Sequence, residues 1–200
     1  MKATDIMHPE DQKAIGALKK IPFIDEMCRS CMEIAYEKIY RGENLGMMVK
    51  VDNSYMPELY QDLKDVTKAI GINTPELFIY NDPVMNAFTF GETNPYVCVS
   101  SSLVEKMNRE ERKAILAHEC GHILCQHVLY GSVVETLRMI GEDFGIIGYT
   151  LTGPVKLALQ YWSRRSEYSA DRCAAAVVGE RTFQASMLKL ALGLADAGND

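Results

Sequence analysis

The sequence predicts an α+β domain, mostly helical, in which a small β-sheet precedes a helix carrying His118-Glu119-Cys120-Gly121-His122. Three observations lead there. Amphipathic helical patterns fill the chain before residue 71 and again after residue 108. Short runs rich in β-branched and aromatic residues lie between them. The second helical stretch opens on a capping signature.

In chain order, residues 10 to 42 give one or two amphipathic helices, and Gly46 to Val51 a short strand. Pro57 to Ile70 reads as another helix, ended by Gly71. Leu77 to Tyr80, Ala87 to Phe90 and Tyr96 to Ser100 read as strands, the last two joined through Gly91-Glu92-Thr93-Asn94-Pro95. Asn108 pairs with Glu111 as a cap, and Ile115, Leu116, Ile123, Leu124 and Val128 continue an apolar stripe to Tyr130, with Gly131 as the expected terminator. Phe144 to Trp162 is the most apolar stretch, but it holds Lys156 and Gln160 and is interrupted by Gly145, Gly148, Gly153 and Pro154. Its 19 residues would only just span a bilayer, so a buried helical hairpin is expected instead. Ser163 to Val178 reads as one helix and Arg181 to Leu194 as the last.

Size and charge bound the function. The 200 residues, 48% hydrophobic, suffice for one domain over 1–200: a mainly helical part to residue 75, then sheet, histidine helix and a later helix over 76–200. A formal charge of −6 without basic runs excludes nucleic acid as the main partner. The N-terminal segment, Met1-Lys2-Ala3-Thr4-Asp5, lacks the apolar stretch of a signal peptide, so a cytoplasmic location is expected, at most peripheral to a membrane. The chain stops at Ala197-Gly198-Asn199-Asp200 without a closing feature, and a further C-terminal segment is expected. Cys28-Arg29-Ser30-Cys31 has no second pair and sits in a helical pattern, so all six cysteines read as reduced thiols, Cys120 and Cys125 as small core residues.

Chemistry concentrates at residues 118 to 122. With 4 His and 16 Glu in 200 residues, composition predicts on the order of 0.006 copies of His-Glu-x-x-His, so chance explains it poorly. On a helix the two imidazoles lie about 40° apart on one face, one turn from each other, with Glu119 beside them. That is half of a zinc site plus a general base, the arrangement of a zincin-like fold. A catalytic zinc needs a third protein ligand, and two carboxylates compete. Glu142 follows His122 by 20 residues, among Gly141, Gly145 and Ile146 that suit a loop. Glu167 follows by 45, in a helical segment where Asp171 lies one turn on and can accept the second N–H of a ligating histidine. The neighbours favour Glu167, although alone Glu167 and Asp171 would read as a solvated face paired with Arg164 or Arg165. His127 falls about 140° round from His122 and reads as a polar helix-end residue outside the zinc ligand set, and His8 as part of a surface turn.

These residues resemble the M48 metallopeptidases. The similarity also includes Asn86-Ala87-Phe88 with Gly91, Ser101-x-Leu103-Val104 leading to Asn108-Arg109-Glu110-Glu111, and Ser163-Arg164-x-x-Glu167-x-x-Ala170-Asp171. The resemblance implies an endopeptidase with one zinc ion held by His118, His122 and Glu167 and with Glu119 as base, acting on peptide or unfolded protein. Membrane members of that family carry spanning helices, and the chain looks closest to soluble ones. Asn86 to Phe90, with Asn86, Ala87 and Phe88 leading it, is the candidate edge on which a substrate adds as a strand, a plain core strand being the equal alternative. Tyr149, Tyr168, Arg165 and His127 are the available donors for an oxyanion. The rival class is a zinc-stabilised scaffold, which would close the site with a cysteine such as Cys120 or Cys173 and would have no need of Glu119. The sequence carries no signal of oligomeric state.

Overall fold

The computed structural model describes residues 1–35, 48–92, 94–140 and 153–193. The N-terminal pattern resolves into α1 (Ala3–Ile6), α2 (Pro9–Leu18) and α3 (Ile24–Ala35), followed by β1 (Met48–Val51) and α4 (Pro57–Ile70). Gly71 closes α4 at φ 87°, a left-handed angle that glycine takes without a Cβ penalty. Then come β2 (Glu76–Tyr80), β3 (Ala87–Phe90), β4 (Tyr96–Ser100), α5 (Ser101–Lys106) and α6 (Arg109–Leu124). The chain continues through α7 (Val128–Ile140), α8 (Gly153–Val178) and α9 (Glu180–Leu192).

The four strands form one mixed sheet in the order β1-β2-β4-β3. β2 runs parallel to β4, with Leu77 opposite Val97, and the outer pairs are antiparallel. The sheet therefore crosses the boundary expected at residue 75, because β1 belongs to it. β3 is an edge strand, held at its start by Asn86, whose N–H donates to Ser100 Oγ (3.0 Å) and whose carbonyl accepts from Ser100 N–H (2.9 Å).

Two apolar cores follow from these faces. The larger joins Val51, Leu77, Val97 and Val99 of the sheet to Leu63 and Val66 of α4 and Ile115 and Leu116 of α6. The smaller joins Leu18, Cys28 and Cys31 to Tyr130, Val133, Leu159 and Trp162. Full burial of each large aliphatic side chain contributes roughly 1.5–3 kcal/mol. The long helix α8 enters both cores, through Leu159 and Trp162 in one and Cys173 and Ala174 in the other. Buried Asp62 of α4 accepts from Arg109 Nε (2.6 Å) and Arg112 Nη2 (3.2 Å), and Lys189 of α9 donates to Glu111 (2.8 Å), so α6 is tied from two sides.

Two expectations need correction. The capping box of Asn108 and Glu111 is present, but the helix it opens ends at Leu124, and Gly131 lies inside α7. The break is a Schellman cap: His127 N–H donates to His122 O (2.9 Å) and Gln126 N–H to Ile123 O (3.1 Å), with Gln126 at φ 59°. A glutamine in the position usually given to glycine leaves no signal in the sequence. His8 is the N-cap of α2, its Nδ1 accepting from Glu10 N–H. Most of the expected hairpin before residue 153 lies outside the described residues; from Gly153 the stretch is α8, and Pro154 sits in that helix's first turn. No described helix is long and apolar enough to cross a membrane.

Candidate metal centre

α6 and α8 pack side by side, and their crossing sets the centre. Gly121 makes the close approach possible: a Cβ there would stand 2.9 Å from Cys173 Cβ and 3.0 Å from Ala170 Cα. About one turn before this contact and immediately after it, the helices present His118, His122, Glu167 and Asp171 to one another. Donor atoms of His118, His122 and Glu167 all lie within 4.8 Å. His118 Nε2 is 3.2 Å from Glu167 Oε2, and His122 Nε2 is 3.7 Å from Glu167 Oε1. Both imidazoles thus turn Nε2 toward the same carboxylate.

The other ring nitrogens have close polar neighbours behind the cluster. His118 Nδ1 lies 3.0 Å from Asp171 Oδ1, and His122 Nδ1 lies 3.1 Å from His127 Nδ1. Such outer contacts fix a ligand's tautomer and ring plane. Burial opposes charge on His118, yet Asp171 and Glu167 overcome it and raise its pKa to about 10. Burial brings His122 down to about 3, assisted by the neighbouring imidazoles. Glu167 is also penalised by burial, but the His118 hydrogen bond and the imidazoles hold its carboxyl at about 2. The cluster thus sets a charged carboxylate against two imidazoles in one small space, a donor set that suits a cation.

Glu119 is buried on the same helix, and Thr89 Oγ1 of β3 sits 2.8 Å from its Oε2 and 3.2 Å from its main-chain oxygen. A cavity of about 260 Å³ opens beside it, bounded by Asn86 to Thr89 on one side and by Val128, Val134 and Ser166 on another. Glu119, His122 and Glu167 all face this space. The expected edge, Asn86, Ala87 and Phe88, therefore borders the same cavity as the histidine cluster.

Other expectations fare differently. Glu142 and Tyr149 lie outside the described residues. His127 corrects the helical-wheel reading: the turn at Gln126 brings it back against His122, fully buried. Tyr168 packs on His8, and Arg165 lies 3.8 Å from the Tyr161 ring centre, so neither is committed to the cavity. Cys120 and Cys173 are buried, and no cysteine joins the donor cluster among the described residues. Burial pushes the Cys28 thiol up to about 12 and Cys31 to about 11, as expected of inert core thiols. Thr89, Gly121 and Asp11, which lies 2.9 Å from His127, were not legible as site residues. Only Thr89 had a signal, because strand alternation puts it on the face of Ala87.

A helix bearing His-Glu-x-x-His, facing a glutamate from a second helix beside a sheet edge, is the frame of a metallopeptidase. The model of peptidase family M48 matches residues 54–196, and the chain belongs to this family. It is 29% identical over 196 residues to the plastoglobule-localized metallopeptidase 48, chloroplastic, of Arabidopsis thaliana, covering 96% of this chain and 57% of that protein. It is 32% identical over 194 residues to a protease HtpX homolog of Nitrosomonas europaea, covering 80% of this chain and 66% of the relative. Protease HtpX of Acinetobacter baumannii (strain AYE) is 30% identical over 212 residues, covering 88% and 70%. The chain thus spans little more than half the length of the plastoglobule protein. No solved structure gives a significant match.

Proposed function

We propose that this chain is a zinc-dependent endopeptidase of zincin-like architecture that cleaves unfolded or misfolded proteins in cytoplasmic quality control. One zinc ion per chain is held by His118, His122 and Glu167. The observation that carries the reading is the convergence of those three donors within 4.8 Å, beside a cavity that His122, Glu167 and Glu119 face. Two imidazole nitrogens and a carboxylate oxygen are a donor set that zinc accepts, with room for a fourth position. Zinc bound there would supply a Lewis acid that polarises a peptide carbonyl and makes water more acidic.

The chain's own residues do the rest. Glu119 takes a proton from the attacking water and delivers it to the leaving amine. Thr89 holds one oxygen of that carboxylate in place. Asp171 keeps the His118 ring turned so that Nε2 faces Glu167. The β3 edge offers main-chain hydrogen bonds to an extended substrate, and the cavity takes a side chain next to the scissile bond.

The test is zinc content together with casein cleavage. Wild-type protein should bind one zinc, and Glu167→Ala should lose it. Glu119→Gln should keep zinc while losing about 10²–10⁴-fold in turnover. Zinc retained by Glu167→Ala would remove Glu167 from the ligand set, and cleavage surviving Glu119→Gln would remove the base.

A further inference from the structure

His127 and Asp11 form a buried line behind the cluster. Nδ1 of His127 lies 3.1 Å from Nδ1 of His122, and its Nε2 lies 2.9 Å from Asp11 Oδ2, within ion-pair distance though turned off the axis of a ring N–H bond, so that a small rotation of the ring completes it. Asp11, on α2, is fully buried and also accepts from Trp162 Nε1 (3.2 Å) and from the Ser169 hydroxyl. Ser169 Oγ in turn accepts from His8 N–H (2.9 Å), which anchors the start of α2 to α8.

Counting hydrogens gives this line a direction. A neutral imidazole that presents Nε2 to a cation carries its hydrogen on Nδ1. The His122 N–H then has to donate to His127 Nδ1, so His127 carries its own hydrogen on Nε2 and donates it to Asp11. Every contact is then one donor against one acceptor, and the Asp11 carboxylate, with three donors around it, ends the chain. We propose that Asp11 is a positioning residue that sets the tautomer of His127 and thereby the orientation of His122 as a metal ligand. The inference rests on His122 being a ligand, as read above. The family model begins at residue 54, so this outer support comes from a helix outside the segment by which the family is recognised.

Asparagine at position 11 separates positioning from mere packing, because it keeps the shape and spoils the donor count. Its amide nitrogen must face either the Trp162 N–H or the His127 N–H. Turned toward His127 it forces the opposite tautomer, which sets His127 against the His122 N–H. Replacing Trp162 by phenylalanine removes one of the two donors, so in the double variant the amide oxygen can again face His127.

The experiment uses the full chain loaded with zinc. Nitrogen-15 NMR of labelled histidines should place the hydrogen of His127 on Nε2 and that of His122 on Nδ1. Zinc affinity by chelator competition should fall about 10–100-fold in Asp11→Asn. Asp11→Asn with Trp162→Phe should return to within about twofold of Trp162→Phe alone. Wild-type affinity in Asp11→Asn, no recovery in the double variant, or a His127 hydrogen on Nδ1 would overturn the proposal. The wild-type tautomer decides even if Asp11→Asn does not fold. A wild type that binds no zinc sinks the metal reading and this inference together, whereas tight zinc with the other tautomer sinks the inference alone.

Discussion

Thr89 reaches the Glu119 carboxylate, the proposed carrier of the proton, and it does so from a different element. A hydrogen bond to a charged group is worth roughly 1.5–3 kcal/mol, so Thr89→Val, nearly the same shape, should lower kcat/KM about 10–100-fold. Zinc content should stay at the wild-type value, and a parallel loss of zinc would mean that Thr89 serves the fold of the centre instead. At this scale the sequence was informative wherever partners share a helix. His118, Glu119 and His122 are four residues apart at most, and Glu167 and Asp171 likewise, so helical spacing alone aligned them. Thr89 and Asp11 are brought in by tertiary packing; strand alternation puts Thr89 on the face of Ala87, whereas nothing around Asp11 points to the site.

At the scale of elements, the centre is a property of how α6 crosses α8. Gly121→Ala would put a methyl group against the α8 backbone and Cys173 at under about 3 Å, an overpacking that costs on the order of 1–3 kcal/mol. The expected result is a lower urea midpoint together with weaker zinc binding, because any separation of the helices moves Glu167 away from both imidazoles. Unchanged zinc affinity at reduced stability would show that the two helices can part without opening the site. The helix over Pro57–Ile70, the strand positions and the capping box of α6 were readable in the sequence, since each depends on local residues, whereas the edge position of β3 depends on sheet order. The break after Leu124 was not, because its left-handed residue is Gln126, and the helical wheel therefore carried His127 to the wrong side.

At the scale of the whole molecule, the described residues form two cores, and α8 is common to both. A metal that ties α8 to α6 should stabilise the fold by linkage. At a free zinc concentration about 1,000 times Kd the gain is about 4 kcal/mol, so chelation should lower Tm by roughly 8–16 °C. Glu119→Gln should show the same drop and Glu167→Ala none. Acid should act through Asp11, whose pKa is lowered: burial opposes its charge, but His127, Ser169 and Trp162 outweigh it. A depressed carboxylate contributes stability above its unfolded value, about 3.9, and loses it as pH falls through the folded value. In chelated protein, urea midpoints measured from pH 7 to pH 2.5 should therefore fall less steeply below pH 4 in Asp11→Asn than in wild type. The edge position of β3 has one more consequence. If a substrate adds to that edge as proposed, main-chain pairing ignores its side chains but requires a free stretch of extended chain, so a folded client would be cut only while it is locally open. When opening and closing outpace cleavage, a client's lifetime tracks its own opening free energy, and the peptidase ranks proteins by stability rather than by sequence.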